Sequence, residues 1–206
     1  MDLGLGNLIT LKRHLLAASL QAGTTYNTVI ADLGKGVAKQ FDKHCNRLFA
    51  RAASGTDEFS ADRGHWITRR YPIESVSAVD IRSDIVTGWV SQTVNNVITN
   101  RDDGAGLLFF GGQLGYAQAV VRVTYTGGYF IETDEGEATA VPAGATAIPD
   151  DVTLAWKLQC REVWNKFDKL GAGISQAPDV STVLANLKLI PQVEAMLALH
   201  RRLQIT

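Results

Sequence analysis

The densest group of side chains that could do chemistry is an acidic run late in the sequence. Glu132, Asp134, Glu135 and Glu137 place four carboxylates within six residues. Carboxylate oxygens are the ligands that Ca²⁺ prefers, so this segment is a candidate cation-binding loop. It lacks the D-x-[DN]-x-[DN]-G order of an EF-hand, and charged runs are more often solvated loops. The sequence therefore favours a surface loop over a metal site.

The remaining reactive residue types form no catalytic pattern. The sequence contains no G-x-S-x-G elbow, no G-x-x-x-x-G-K-[ST] phosphate loop and no C-x-x-C pair. The histidines are scattered, without the close spacing typical of zinc ligands: His14, His44, His65 and His200. In an unrecognised enzyme, Arg101, Asp102 and Asp103 would be the first suspects, but the following glycine favours a turn. We therefore predict no enzymatic activity, no bound metal and no cofactor.

A row of cations is the least ordinary charge pattern. The basic residues recur every fourth position and would form a ridge along one long helix: Lys35, Lys39, Lys43, Arg47 and Arg51. The simplest interpretation is a solvated helix face. A second is a contact with acidic groups of a neighbouring copy, for which the 132–137 loop is the candidate. A third is contact with DNA phosphates, which needs only positioned cations.

Bulk composition limits the class of protein. The 206 residues are 46% hydrophobic, enough for a substantial core, and 20 basic against 21 acidic residues leave a net charge of -1. Strong non-specific nucleic-acid binding does not follow from that balance. The two cysteines, Cys45 and Cys160, lie on apolar helix faces and are predicted to be reduced core residues. No secretion signal or membrane span is recognised, so a soluble intracellular protein is expected.

Apolar periodicity predicts helices at the start of the chain. Residues 8–20 form a short helical candidate. Apolar residues at steps of three and four then predict a long helix over about 25–51. Gly34 and Gly36 interrupt it, so either they permit close contact with another backbone or the helix is kinked there.

The period changes to two between residues 55 and 129, which is typical of strands. Strands are predicted at 65–68, 76–82, 89–94, 107–110 and 119–125, separated by glycine and asparagine turns. Short strands joined in this way indicate a small antiparallel sandwich or barrel. No internal repeat is found.

The rest of the chain is predicted to return to helix. A loop over 131–148 precedes a helix at 149–171, and a linker with a C-terminal arm fills 172–206, where Pro191 is expected to break the arm. With a helical segment at 1–54 and a β-region at 55–130, the chain is predicted to be one α+β domain. It would have a helical body, an inserted antiparallel β-region and an arm.

Four motifs in this order resemble the head–tail connector, or adaptor, proteins of tailed bacteriophages. They are the helix end Gln40-Phe41-Asp42-Lys43-His44-Cys45-Asn46-Arg47-Leu48-Phe49, the strand start Tyr71-Pro72-Ile73-Glu74-Ser75-Val76, the strand end Val123-Thr124-Tyr125-Thr126-Gly127-Gly128-Tyr129 and the helix start Ile148-Pro149-Asp150-Asp151-Val152. The resemblance covers about residues 8–170. The β-region at 84–106 is longer than in the smallest members of the family.

The resemblance implies a virion protein without enzymatic activity or cofactor. Such proteins assemble as a homo-oligomeric ring, commonly a dodecamer, between the portal protein and a tail or stopper protein, around the DNA exit channel. The same resemblance implies that the C-terminal arm docks on the portal, and the candidate docking residues are Leu184, Leu187, Ile190, Met196, Leu197, Arg201 and Arg202. A chain ending at Pro178 is then expected to fold and to lose portal binding. The alternative function is a DNA-binding module that uses the basic ridge.

Overall fold

The computed structural model describes residues 3–62, 65–84, 86, 88–94, 97–99, 107–110, 119–132, 140–171 and 188–202. At 97–99, 107, 109–110 and 167–171 the backbone alone is described. The chain divides into two compact units. Unit 1 comprises Met1–Arg47, Ile131–Val141 and Ala147–Arg201, and unit 2 comprises Leu48–Phe130, Pro142–Thr146 and Arg202–Thr206. Because two contact units can still form one domain, the single-domain assignment stays a prediction.

Unit 1 is helical. Its described elements are α1 (Leu8–Leu15), α2 (Ala18–Gln21), α3 (Asn27–Cys45), α4 (Asp150–Gly171), α5 (Pro191–Leu197) and a 3₁₀ turn (Ala198–His200). The prediction of one helix over 8–20 is wrong, because Leu16 and Ala17 have extended backbone between α1 and α2. The side chain of Asn7 caps α1, accepting a hydrogen bond from the Thr10 amide at 2.8 Å.

The predicted long helix is confirmed in its middle and wrong at its C-terminal end. It ends at Cys45 because Asn46 adopts the left-handed conformation, with φ 51°, and its amide hydrogen-bonds back to Asp42 and Lys43. Arg47 and Arg51 therefore lie beyond the helix. The basic ridge shrinks to Lys35, Lys39 and Lys43.

Trp156 on α4 is the centre of the unit 1 core. Its ring is fully buried, and its indole N–H donates to the carbonyl oxygen of Gly34 at 3.0 Å. A Cβ placed on Gly34 would lie 3.1 Å from this ring and 3.0 Å from the side chains of Leu3 and Leu11. A Cβ on Gly6 would lie 2.6 Å from the ring. Gly34 is therefore a site of close approach, but the approaching groups are side chains and not the backbone that the sequence had indicated.

The third predicted helix and both predicted cysteine states are confirmed. Helix α4 spans Asp150–Gly171 and buries Val152, Ala155, Trp156, Cys160 and Val163 along one face. Cys45 and Cys160 are free and buried. Burial raises the pKa of the Cys45 thiol to about 11, so it remains protonated and acts as a small apolar residue.

The described part of the arm, residues 188–201, packs into unit 1. The buried amide of Gln159 donates to the Lys188 carbonyl at 3.2 Å and accepts from the Ile190 amide at 3.0 Å. Pro191 begins α5, because proline fits the first turn of a helix. The arm before residue 188 lies outside the described residues, so the break at Pro191 stays a prediction. Beyond α5, His200 contacts the Asp151 carboxylate at 2.7 Å.

Packing of the arm changes what truncation would do. Leu189, Val193 and Leu197 contribute to the buried core of unit 1. A chain ending at Pro178 lacks all three and would leave apolar core surface in water. We therefore expect this truncation to destabilise unit 1, contrary to the expectation from the sequence. Loss of partner binding by such a truncation would be indistinguishable from damage to unit 1.

Unit 2 contains a four-stranded antiparallel sheet in the order β1 (Ala52–Ser60), β7 (Val120–Gly127), β3 (Ile73–Arg82) and β4 (Val90–Gln92). A second antiparallel sheet has the order β2 (His65–Ile67), β6 (Leu107–Phe110) and β5 (Val97–Thr99), and β8 (Tyr129–Phe130) pairs with β9 (Thr146–Ala147). One hydrophobic cluster joins Trp66 and Leu108 of the second sheet to Val79, Val121 and Val123 of the first. The α+β class and the antiparallel β-region are confirmed.

Four described strands escaped the sequence analysis, namely β1, β5 and the two-residue strands β8 and β9. Strand β1 reads A-A-S-G-T-D-E-F-S, in which apolar and polar residues do not alternate, and its first three residues had been assigned to the helical segment at 1–54. Strand β5 lies within the longer β-region at 84–106, much of which falls outside the described residues.

Leu197 and Leu199 offer a matched test of the arm's packing, because they are the same residue type two positions apart with 0% and 88% exposure. Leu197→Ala should lower the free energy of unfolding by about 2–4 kcal/mol, as cavity-forming core substitutions do. Leu199→Ala should change it by less than about 0.5 kcal/mol. Urea unfolding of both variants measures this, and equal effects would contradict the docking of the arm in unit 1.

Candidate functional site

The Tyr-Pro and Gly-Gly motifs meet in unit 2. The Gly128 amide donates to the Pro72 carbonyl at 2.9 Å, and the Tyr129 amide donates to the Phe49 carbonyl at 2.8 Å. Gly128 has φ +96°, and a Cβ there would lie 2.7 Å from the Ala50 carbonyl oxygen. Glycine is required for both reasons. The end of β7 is therefore clamped between the segment after α3 and the start of β3.

Two residues before that turn, Tyr125 holds a buried hydrogen-bond network. Its phenol donates to Asp57 Oδ2 at 2.7 Å and accepts from the Arg70 amide at 3.0 Å. The Arg69 amide donates to the same Asp57 oxygen at 2.6 Å. Burial, followed by the hydrogen bond to the Asp57 carboxylate, raises the pKa of Tyr125 well above its ordinary value, so the phenol remains a donor.

The network opens on a cavity of about 450 Å³. Its lining residues are Thr56, Asp57, Glu58, Phe59, Arg69 and Arg202. Successive strand residues point to opposite faces of a sheet, so a cavity touched by four successive residues of β1 runs along the edge of that strand. Strand β1 is an outer strand of its sheet.

Two polar atoms of the cavity wall are unpaired among the described residues. Asp57 is 5% exposed, and its second oxygen, Oδ1, makes no hydrogen bond to any described residue. The same holds for Nε of Arg202, whose terminal nitrogen donates to the Ile67 carbonyl. Burial lowers the pKa of Arg202, while the nearby Asp57 carboxylate opposes that shift. The wall thus contains one buried acceptor and one buried donor without a described partner.

This cavity has no counterpart in the sequence analysis. Asp57 was missed because its segment had no strand pattern, and Arg202 was assigned to portal docking. The available signal was an acidic residue two positions after Gly55 and two positions before Phe59. Its partner Tyr125 was noticed as part of a strand end, without its hydroxyl being assigned a role.

The structure does not bring the predicted basic ridge together as one row. Lys35, Lys39 and Lys43 are exposed on α3 in unit 1, whereas Arg47 is buried after the helix end. Arg51 belongs to unit 2 and forms a bidentate ion pair with Glu74. Its Nε donates to Oε1 at 2.6 Å and its Nη2 donates to Oε2 at 2.8 Å. That hydrogen bond raises the pKa of Arg51. The assignment of the last two arginines to a helical ridge is therefore wrong.

The acidic loop is only partly covered by the described residues. Glu132 is exposed, and its carbonyl accepts from the Asn7 side chain at 3.4 Å. Asp134, Glu135 and Glu137 lie outside the described residues. In the part of the chain that the structure describes, no three histidine, cysteine or acidic side chains cluster as a metal site. Pairing of this loop with a neighbouring copy stays a prediction.

The arm residues predicted to dock on a portal have different environments. Leu197 is fully buried within unit 1, so it is already covered and offers no surface to a partner. Ile190 and Met196 are half-buried, and Arg201 is exposed. Arg202 lines the cavity, while Leu184 and Leu187 lie outside the described residues. The strongly exposed apolar residue of the arm is instead Leu199.

A second polar surface lies on the four-stranded sheet. The guanidinium groups of Arg82 and Arg122 lie 4.9 and 4.1 Å from the ring centre of Trp89. Arg122 also pairs with Asp80 at 3.0 Å. Cation–π contacts of this kind fix the position of an aromatic side chain at a partly exposed surface. Trp89 immediately precedes β4, the other outer strand of the sheet.

Comparison with known proteins identifies a shared fold. No protein-family model and no curated protein matches the chain. A chain from the neck of an empty gene transfer agent (GTA) particle, computed with C6 symmetry, matches with a TM-score of 0.53 at 12% identity, covering 97% of this chain and 90% of that one. A chain from the virion of the native GTA particle matches with a TM-score of 0.52, at the same identity and coverage.

Among the described helices, none is both long and apolar enough to cross a membrane.

Tyr125→Phe tests whether the buried network stabilises unit 2. The substitution removes the donor to Asp57 Oδ2 and the acceptor for the Arg70 amide, so the free energy of unfolding should fall by about 1–3 kcal/mol. Tyr26→Phe is the control, since Tyr26 is an exposed tyrosine of unit 1. Chemical denaturation of the two variants makes the comparison. Equal stability of both would mean that the phenol hydroxyl of Tyr125 contributes nothing.

Proposed function

We propose that this protein is a structural component of a tailed-bacteriophage-like particle, namely a head–tail adaptor in its neck. The observation that carries the proposal is the fold match over 97% of the chain to a protein of a GTA neck. Fold alone does not define function, so features of this chain must support the proposal as well. The order of the adaptor-like motifs supplies them.

Those motifs have a common structural purpose, which supports their use as a family signature. The Tyr71-Pro72 segment and the Gly127-Gly128 turn contact each other through the Gly128 amide. The Pro149-Asp150 motif starts α4, where two acidic side chains lie at the positive end of the helix dipole. Each of these motifs lies where one secondary-structure element begins or ends, so the motifs have structural roles in this fold.

The proposed assembly is a homo-oligomeric ring that bridges the portal protein and a tail or stopper protein around the DNA exit channel. The matching neck was computed with C6 symmetry, and a dodecamer is compatible with sixfold symmetry. Closed rings are built from heterologous contacts between two different patches of one subunit. The protein would then reside in the virion at the head–tail interface after assembly in the host cytoplasm, and act without a cofactor.

Exposed apolar side chains support a role in assembly. Leu199 is 88% exposed, and Leu154 on α4 is half exposed. Single exposed apolar residues are common, and Leu199 directly precedes His200, which contacts the Asp151 carboxylate. We place the proposed portal contact of the arm at Leu199 and Arg201, because Leu197 is already covered.

Electron microscopy of the purified protein, alone and mixed with a portal protein, tests the ring. We expect annular particles with a central hole, at least in the mixture, because the portal aligns successive subunits. Leu199→Asp should reduce capture by the portal, since it places a charge in the proposed contact, whereas Val86→Asp is a matched change at an exposed valine of the other unit. Particles without a hole in both samples would contradict the proposal.

The alternative function is DNA binding through Lys35, Lys39 and Lys43, which are exposed at four-residue spacing on α3. Filter binding at low and high salt separates it from the leading proposal. If these lysines contact phosphates, replacing all three by glutamine should weaken binding. The slope of the logarithm of the binding constant against the logarithm of the salt concentration should then fall in magnitude by about three, one for each lost phosphate contact. Absence of binding at low salt would eliminate this alternative.

A further inference from the structure

The four-stranded sheet of unit 2 has two outer strands with different surroundings. Strands β1 and β4 each have one strand neighbour among the described residues, β7 and β3 respectively. An outer strand carries backbone N–H and C=O groups on the side away from its neighbour, and these groups can pair with a strand of another chain. The two outer strands are therefore the places where this sheet can be extended.

The strand directions allow a head-to-tail extension. Strand β1 is antiparallel to β7, β7 to β3 and β3 to β4. Strands β1 and β3 thus run one way, and β7 and β4 the other. Suppose that the sheets of two copies have the same orientation and that β4 of one copy lies beside β1 of the next. The new pair of strands is then also antiparallel, and the alternation of strand direction continues from one copy to the next.

The edge of β1 carries a site suited to an incoming backbone. The cavity runs along Thr56, Asp57, Glu58 and Phe59, and its wall holds the unpaired Asp57 Oδ1 and the unpaired Nε of Arg202. A carboxylate oxygen accepts a hydrogen bond and a guanidinium nitrogen donates one. A peptide group offers one N–H and one C=O, so a strand that displaces the cavity wall enough to reach these buried atoms can satisfy either one. A buried acceptor and a buried donor without hydrogen bonds are unfavourable, so forming those hydrogen bonds would stabilise the complex.

The edge of β4 has side chains that complement this site. Val90 is 49% exposed, and Ser91 is exposed. Arg82 lies next to this edge and is held over the Trp89 ring. The β1 edge contributes the carboxylates of Asp57 and Glu58. Opposite charge on the two edges and the half-exposed Val90 of β4 both favour pairing between copies.

We propose that β1 of one copy pairs with β4 of the next, so that the four-stranded sheets of neighbouring copies join edge to edge. The contact is heterologous, which is the kind that closes into a ring when the rotation between copies allows it. This inference rests on the proposed ring and adds the surface through which its subunits meet. The occupant of the β1 cavity is thus a second copy of this chain.

An inward-facing charge on an outer strand is otherwise a device that prevents strand pairing. Asp57 differs from a simple blocking charge because Tyr125 and the Arg69 amide hold one of its oxygens in place. Only the second oxygen is left to accept. The protective interpretation is nevertheless the competing one, and the experiment below distinguishes the two.

Disulfide trapping between two variants that each carry one added cysteine tests the pairing. Glu58→Cys and Ser91→Cys replace exposed residues on the two edges, and Ser60→Cys provides a second position on β1. The native Cys45 and Cys160 are buried, so they should not react. When Ser91→Cys is mixed with either β1 variant under mild oxidation, we expect a cross-linked dimer on a non-reducing gel. Asp32→Cys, at an exposed position of α3, replaces the β1 variant in the control mixture and should give none.

A charge substitution gives an independent measurement. Val90→Lys should abolish the cross-linked dimer, because an added lysine at a strand edge opposes pairing. Val86→Lys, at a 96% exposed valine just before β4, should leave the dimer unchanged. Circular dichroism of both variants checks that they fold.

The outcomes separate this inference from the proposed function. Rings seen by microscopy without trapping of either cysteine pair would overturn the edge pairing and leave the adaptor proposal intact. Trapping without rings would support the pairing and count against the ring. Absence of both would overturn the pairing and leave Asp57 as a protective charge.

Discussion

The hydrogen bond between the Tyr125 phenol and Asp57 is the interaction on which unit 2 most depends. It joins residues that are 68 positions apart in the sequence, and it does so inside the core. A buried carboxylate without donors would be unfavourable, so Tyr125 and the Arg69 amide must be in place for β1 to lie against β7. The strand that carries Tyr125 is also the one that pairs with both β1 and β3. The register of the main sheet and the position of the edge cavity follow from it.

Unit 1 depends on a different kind of constraint, the close approach of chain segments to one large ring. Trp156 occupies space that side chains at Gly6 and Gly34 would fill, and its N–H is satisfied by the Gly34 carbonyl. The arm then completes the same core by contributing Leu197 and by using the amide of Gln159. An element that looked like a detachable tail is therefore part of the folded unit in its described section. Only side chains that remain outside, such as Leu199, are available to partners.

Sequence reasoning succeeded where one element carries its own periodic pattern. Helix α4 was predicted within one residue of its observed start, because its apolar residues recur at helical spacing and acidic residues precede them. The strands rich in β-branched residues were found for the same reason. The end of α3 was missed because the basic residues continue at four-residue spacing past Asn46, whose left-handed backbone stops the helix. Strand β1 was missed because its buried positions include Gly55 and Asp57, so its alternating burial leaves no alternating apolar pattern in the sequence.

The amino-acid order by itself determined the class of the fold, the position of the main helices, the buried state of both cysteines and the adaptor-like order of motifs. These properties depend on residues near one another in the chain, where burial of one face spaces the apolar residues periodically. Only the tertiary structure decided that the Tyr-Pro and Gly-Gly segments meet, that Arg51 pairs with Glu74, and that Asp57 faces a cavity with Arg202. Those contacts join distant positions through hydrogen bonds and ion pairs. No local periodicity encodes such pairs, because each partner by itself resembles an ordinary polar residue.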